Sequence, residues 1–142
     1  MAIIQTLTTS FKVEVAQGLH NFTTGTGYVF KLALYTANAD LGASTTAYTA
    51  AGESSGTNYT AGGITLTNIT PRFQGTTSYW SFQDVTFTNV TLTTNGALIY
   101  NSTNGNRSVA VLNFGVNITK TAQNLVITFP VNDATNAVLR IA

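Results

Sequence analysis

Two apolar runs flank an Asn/Gly-rich break in Gly96-Ala-Leu-Ile-Tyr-Asn-Ser-Thr-Asn-Gly-Asn-Arg-Ser-Val-Ala-Val-Leu-Asn-Phe-Gly115. This stretch limits the possible folds more than any other part of the chain. Asn and Gly accept the left-handed backbone that closes two antiparallel strands, so the pattern is the local signature of a β-hairpin. It contains no acid–base pair, no thiol and no phosphate loop. The feature is architectural, and it points to assembly or binding ahead of chemistry.

The rest of the chain is built from the same materials. Charged residues make up only 8% of the sequence, where a soluble domain usually has about a quarter. Neutral hydrogen-bonding residues take their place: roughly a fifth of the chain is Thr and about a tenth Asn, and Thr favours strands while Asn and Gly favour turns. The expectation is an all-β protein. A length of 142 residues suits one domain with a single core. The expected organisation is an N-terminal arm over residues 1–9 and one β-sandwich domain over 10–142.

Composition also narrows the partners. The net charge is +1, and Lys12, Lys31, Arg72, Arg107, Lys120 and Arg140 are scattered singly. Nucleic-acid binding needs clustered cations, so none is expected. No run of apolar residues is long enough for a membrane helix, and no membrane partner is expected. Without cysteine there are no disulfides or thiolate metal sites. Met1–Ser10 lacks a basic start and a long apolar run, so it does not read as a secretory signal, and folding in a cytoplasm is expected. Asn-X-Ser/Thr triplets start at Asn21, Asn58, Asn68, Asn89, Asn101, Asn106 and Asn117. In a chain so rich in Asn and Thr they are expected by chance. A weakly charged surface resists self-association poorly, which leaves two readings open: a subunit of an assembly, or an ordinary soluble Thr-rich domain.

Residues 10–22 are the one helix candidate. Ser10 is a possible N-cap, and Phe11, Val15, Leu19 and Phe22 form an apolar stripe, although Gly18 weakens it and Val13 and Val15 permit a strand. Residues 28–36 read as a strong strand with Tyr28, Phe30, Leu32 and Leu34 on its core face. Residues 37–63 read as a long loop, functional or mobile, with one short strand near Thr46–Ala50. Short strands follow: Ile64–Ile69, ending near Pro71, then Thr77–Phe82, Val85–Thr88 and a continuation from Val90. The apolar phase changes at Asn89, which a β-bulge or a sheet switch would reconcile. The hairpin strands are Ala97–Asn101 and Arg107–Phe114. Residues 115–123 read as a connection, and 124–129 and 136–141 as the last strands. About eight strands with turn residues between them indicate a two-sheet sandwich, with a jelly roll as the first choice of topology and one short N-terminal helix.

Chemistry has few footholds. His20 is the only histidine, so a zinc site of the usual kind has no second ligand, and a catalytic triad would need an acid and a nucleophile gathered around it. Its ordinary reading is a surface or half-buried side chain on the N-terminal helix. Glu14, Asp40, Glu53, Asp84 and Asp133 form no close pair. Glu53 with Asp84 could act as a glycosidase pair only if the fold set them across a cleft, and calcium would need several converging carboxylates. Asp40 and Asp133 read as caps of their own turns. Gly25-Thr-Gly27 and Gly62-Gly63 read as turns and lack the pattern of a phosphate loop. No catalytic, cofactor-binding or metal-binding residue is assigned, and no cofactor is expected. Sugar binding would use Tyr48, Tyr59, Tyr79 and Trp80, although a Trp within a strand more often belongs to a core.

The segment Gly-Ala-Leu-Ile-Tyr-Asn-Ser-Thr from Gly96, with Val-Ala-Val-Leu-Asn-Phe-Gly ending at Gly115, resembles a family of small virion structural proteins of tailed bacteriophages. The following Thr-Lys-Thr-Ala-Gln-Asn-Leu-Val-Ile-Thr-Phe-Pro, ending at Pro130, is similar to that family's next strand. Phe30-Lys-Leu-Ala-Leu-Tyr-Thr, Leu41-Gly-Ala-Ser-Thr-Thr-Ala-Tyr-Thr and Thr60-Ala-Gly-Gly fit the same pattern. The likeness runs from about residue 11 to the C-terminus, and departs where Asn113 stands in place of a frequent acidic residue. It implies a non-enzymatic part of the particle, first of all a capsid decoration (cement) protein that binds the major capsid protein on the capsid exterior as a homotrimer. The alternative is a tail- or neck-associated structural or carbohydrate-binding β-sandwich module. Candidate subunit contacts are Ile3, Ile4 and Leu7, which either dock on a neighbour or form an edge strand of the same domain, and Tyr48 and Tyr59 of the Tyr48–Gly63 loop.

Overall fold

The computed structural model describes residues 2–142; residue 1 of the expected arm lies outside them. The chain runs through β1 (Thr6–Leu7), α1 (Thr9–Ala16), β2 (Phe30–Tyr35), β3 (Ile64–Thr65), β4 (Arg72–Gln74), β5 (Thr77–Trp80), β6 (Val85–Asn101), β7 (Arg107–Ile127) and β8 (Leu139–Ile141). Two antiparallel sheets form, one of five strands in the order β1-β7-β6-β2-β3 and one of three in the order β4-β5-β8. The protein is therefore an all-β sandwich of eight strands with one short helix. The likeness to a jelly roll stops at strand number and the two-layer core. A jelly roll is made of two Greek keys, whereas here β6 and β7 lie side by side in one sheet and the division is five and three.

The β6–β7 hairpin dominates the fold. Its turn is set by local chemistry: Gly105 and Asn106 adopt positive φ of 66° and 54°, and Asn101 Oδ1 accepts from Thr103 N and Asn104 N at 3.1 Å each. The strands are far longer than the Ala97–Asn101 and Arg107–Phe114 read from the sequence. Residues 115–123 are not a connection but the continuation of β7. Their alternation is hidden in the sequence because register shifts interrupt the ladder and because Gly115 and Ala122 take left-handed φ of 80° and 50°. The phase change at Asn89 is a bulge: Asn89 has φ 51°, the register slips between Phe87 and Val90, and both of those side chains stay buried. A one-residue slip would otherwise turn one of them to solvent.

β2 lies inside the large sheet between β6 and β3, and both of its faces are covered. Phe30, Leu32 and Leu34 pack with Trp80, Phe82 and Leu139, which joins the two sheets. Ala33 and Tyr35 pack on the other side with Ile3, Leu41, Leu98 and Val111. Each large apolar side chain so buried contributes about 1.5–3 kcal/mol. The second face is covered by residues 36–63, which are not a free loop. Bridges Tyr35↔Glu53, Ala47↔Arg107 and Thr57↔Thr91 fasten them to the sheet, and the expected strand near Thr46–Ala50 is reduced to the Ala47 bridge. Gly63 allows one close approach: its φ is 86°, and a Cβ there would lie 1.9 Å from the Leu32 carbonyl oxygen.

The helix is shorter than the 10–22 expected and is capped by Thr8, whose hydroxyl accepts from Phe11 N at 3.4 Å, rather than by Ser10. Gly18, at φ 72°, takes the left-handed turn that ends it. Phe22 reaches the core from the segment beyond.

Candidate functional site

The polar side chains that could carry chemistry gather in two interior clusters. The first is centred on His20. Asn101 Oδ1 is committed to the two turn amides, so its Nδ2 is the atom facing His20 Nδ1 at 3.1 Å. An amide NH₂ only donates, so Nδ1 must accept, and the ring proton sits on Nε2, which donates to Glu14 Oε1 at 2.9 Å. The imidazole is thus neutral. Burial is the main cause of its lowered pKa, which the Glu14 hydrogen bond and charge only partly offset. The other carboxylate oxygen of Glu14 accepts from Arg107 Nη1 at 2.9 Å. The His20 side chain is 0% exposed, wedged among Phe11, Phe22 and Phe30. Both nitrogens are occupied and no hydroxyl contacts the ring. In this arrangement His20 ties the helix and its exit to the hairpin turn, and it is more deeply buried than the sequence suggested.

The second cluster is centred on Glu53. Its Oε1 accepts from Tyr48 Oη at 2.6 Å, and its Oε2 accepts from Tyr59 Oη at 2.6 Å and Gly62 N at 2.8 Å. Tyr59 Oη in turn accepts from Leu34 N at 2.9 Å, bonding the cover to β2. Tyr100 stacks on Tyr48 and donates to the Gly62 carbonyl, while Tyr35 donates to the Thr49 carbonyl. Burial first, then the Glu53 carboxylate, raises these phenols: Tyr48 is pushed up to about 12, and Tyr35, Tyr59 and Tyr100 also lie above the ordinary value. Four tyrosines and one carboxylate fasten residues 48–62 onto the sheet.

The remaining candidates do not converge. Asp84 accepts from Phe129 N. Asp133 caps its own turn, as expected, accepting from Asn136 Nδ2, Asn136 N and Thr135 N, and those bonds lower its pKa. Asp40 makes no such bond among the described residues. No group of three or more His, Cys, Asp or Glu there could hold a metal ion, and no helix is long and apolar enough to cross a membrane. Of the aromatic residues considered for sugar stacking, Trp80 is buried, and Tyr48 and Tyr59 are spent on Glu53.

Of the candidate subunit contacts, Ile3 is buried and bridges Leu41, and Leu7 pairs with Ala110 in β1. Edge strand is thus the alternative found for this segment, and only Ile4, at 61% exposure, faces outward. The sequence did not reveal Phe73, 79% exposed on the β4–β5 hairpin. Nor did it reveal the His20 and Glu53 clusters, whose only hint is that Tyr48 and Tyr59 stand five and six residues either side of Glu53. No protein-family model, curated protein or solved structure matches the chain.

Proposed function

We propose that the protein is a non-enzymatic structural component of a tailed-bacteriophage virion, a capsid decoration (cement) protein that binds the major capsid lattice. One observation carries the reading: the residues most able to do chemistry are consumed as internal ties, while apolar side chains are left on a weakly charged surface. His20, Glu14 and Glu53 hold loops to the sheet, and Ile4, Phe73, Val116, Val131 and Ile141 are exposed. Such a body supplies rigidity and contact area, the two things a lattice clamp needs. The resemblance along Gly96–Pro130 supports the same reading. Cement subunits bridge neighbouring capsid proteins, and a homotrimer is the expected form.

The test is addition of purified protein to phage heads that lack it. Saturable binding in register with the lattice, with heads made more resistant to heat or osmotic shock, is the expected outcome. Failure to bind heads, tails or necks would remove the reading.

A further inference from the structure

We infer that the open side of the sandwich, between β1 and β8, receives an extended, acidic, apolar strand from a different polypeptide. The inference deepens the proposed function and rests on its reading of the chain as a binder of other proteins.

The strand order provides the first observation. β1 is the last strand of the large sheet and β8 the last of the small one, so each has one edge without a ladder. Both edges border the same apolar groove. Its larger part, about 520 Å³, is lined by Gln5–Leu7 from the β1 side and by Ala137, Val138 and Arg140 from the β8 side, with Leu112, Phe114 and Phe129 completing it. A further part of about 280 Å³ shares Leu7 and Arg140 and adds Phe11, Trp80 and Ile141. Unpaired backbone edges beside an apolar lining are what strand addition uses: main-chain hydrogen bonds supply affinity, and alternate side chains fill the groove.

Charge gives the second observation and selects the occupant. The charged residues lining the groove are Lys12 and Arg140, with no acid among them. Neither cation forms an ion pair; those of the described residues join only His20, Arg107 and Glu14. Asp133, whose pKa reflects the nearby Arg140 charge, is turned into its own loop. A strand carrying carboxylates complements this rim. A second copy of the chain offers no such strand: its five acids stand at 14, 40, 53, 84 and 133, so no nine-residue stretch carries more than one carboxylate, and Glu14, Glu53, Asp84 and Asp133 are also engaged in its own fold. The strand therefore comes from a different protein.

The probe is a labelled synthetic peptide of about nine residues alternating Val with Glu, long enough to span the groove at about 3.4 Å per residue, with a Val/Lys peptide as control. The wild-type protein is expected to bind the Glu peptide at least about tenfold more tightly than the Lys peptide, and Lys12→Glu/Arg140→Glu is expected to abolish that preference. Both positions are exposed, and an unchanged melting curve verifies the fold. Equal binding of the two peptides, no binding of either, or a preference that survives the double substitution overturns the inference. Head binding is scored separately. Protein that takes up the Glu peptide but joins no particle contradicts the virion reading alone. Protein that joins particles equally well with and without the two substitutions contradicts the groove alone.

Discussion

At the scale of single residues, the fold is held by polar side chains whose partners are fully specified. Glu53 accepts three hydrogen bonds through two oxygens. Gln in its place keeps one acceptor oxygen and leaves at least one donor unmet, so Glu53→Gln is expected to cost about 1–3 kcal/mol, read by chemical denaturation, with faster proteolysis between residues 48 and 62. The tyrosines of this cluster give an alkaline signature. Their folded pKa values are raised, so above about pH 10 the unfolded chain loses protons first and stability falls. Ultraviolet titration is expected to show Tyr35, Tyr48 and Tyr59 still protonated at about pH 11; phenolate formation at the ordinary value would contradict the cluster. His20 gives the acid counterpart. Its folded pKa is depressed, so below about pH 6.5 the unfolded state takes up the proton first. Its contribution is complete above that pH and is lost as pH falls toward the folded value. Protonation also puts a donor on Nδ1 against Asn101 Nδ2. A melting temperature that declines from pH 7 to pH 5 in the wild type, and less in His20→Gln, is expected.

At the scale of elements, the β6–β7 hairpin shows what the sequence could and could not disclose. The turn was legible because Asn and Gly stand where left-handed backbone is needed, and a break at Asn89, by bulge or sheet switch, was legible because the apolar phase changes there; the register slip and positive φ make it a bulge. The full length of β7 was not legible. Gly115 and Ala122 break its alternation, and its polar residues earn their strand conformation from pairing with β6 rather than from a buried face of their own. Residues 37–63 are the long loop read from the sequence, but how firmly it is held was not legible: Glu53 and its tyrosines, distant in sequence from β2, bind the segment down. At Asn89 the side chain makes no hydrogen bond, while its backbone accepts from Asn58 Nδ2 and donates to Asn124 Oδ1. Asn89→Gly should therefore be tolerated, whereas Asn89→Val should cost about 1–2 kcal/mol because a branched side chain resists positive φ. Equal stabilities of these two variants in urea would argue against the bulge.

At the scale of the whole molecule, a five-over-three sandwich with a second covering layer carries an apolar groove between its edge strands β1 and β8. Fold class and the two-layer core were readable from alternating branched and aromatic residues, but the groove arises from strand order, which short-range pattern does not encode. Light scattering of the purified protein tests self-association, with a trimer expected and a strict monomer at high concentration counting against that assembly. The most direct measurement of the central proposal is a cryo-EM map of the virion. The expected result is this sandwich at repeated, symmetry-related positions on the capsid exterior, touching major capsid subunits. A purified virion whose map and protein inventory contain no copy of the chain would contradict it.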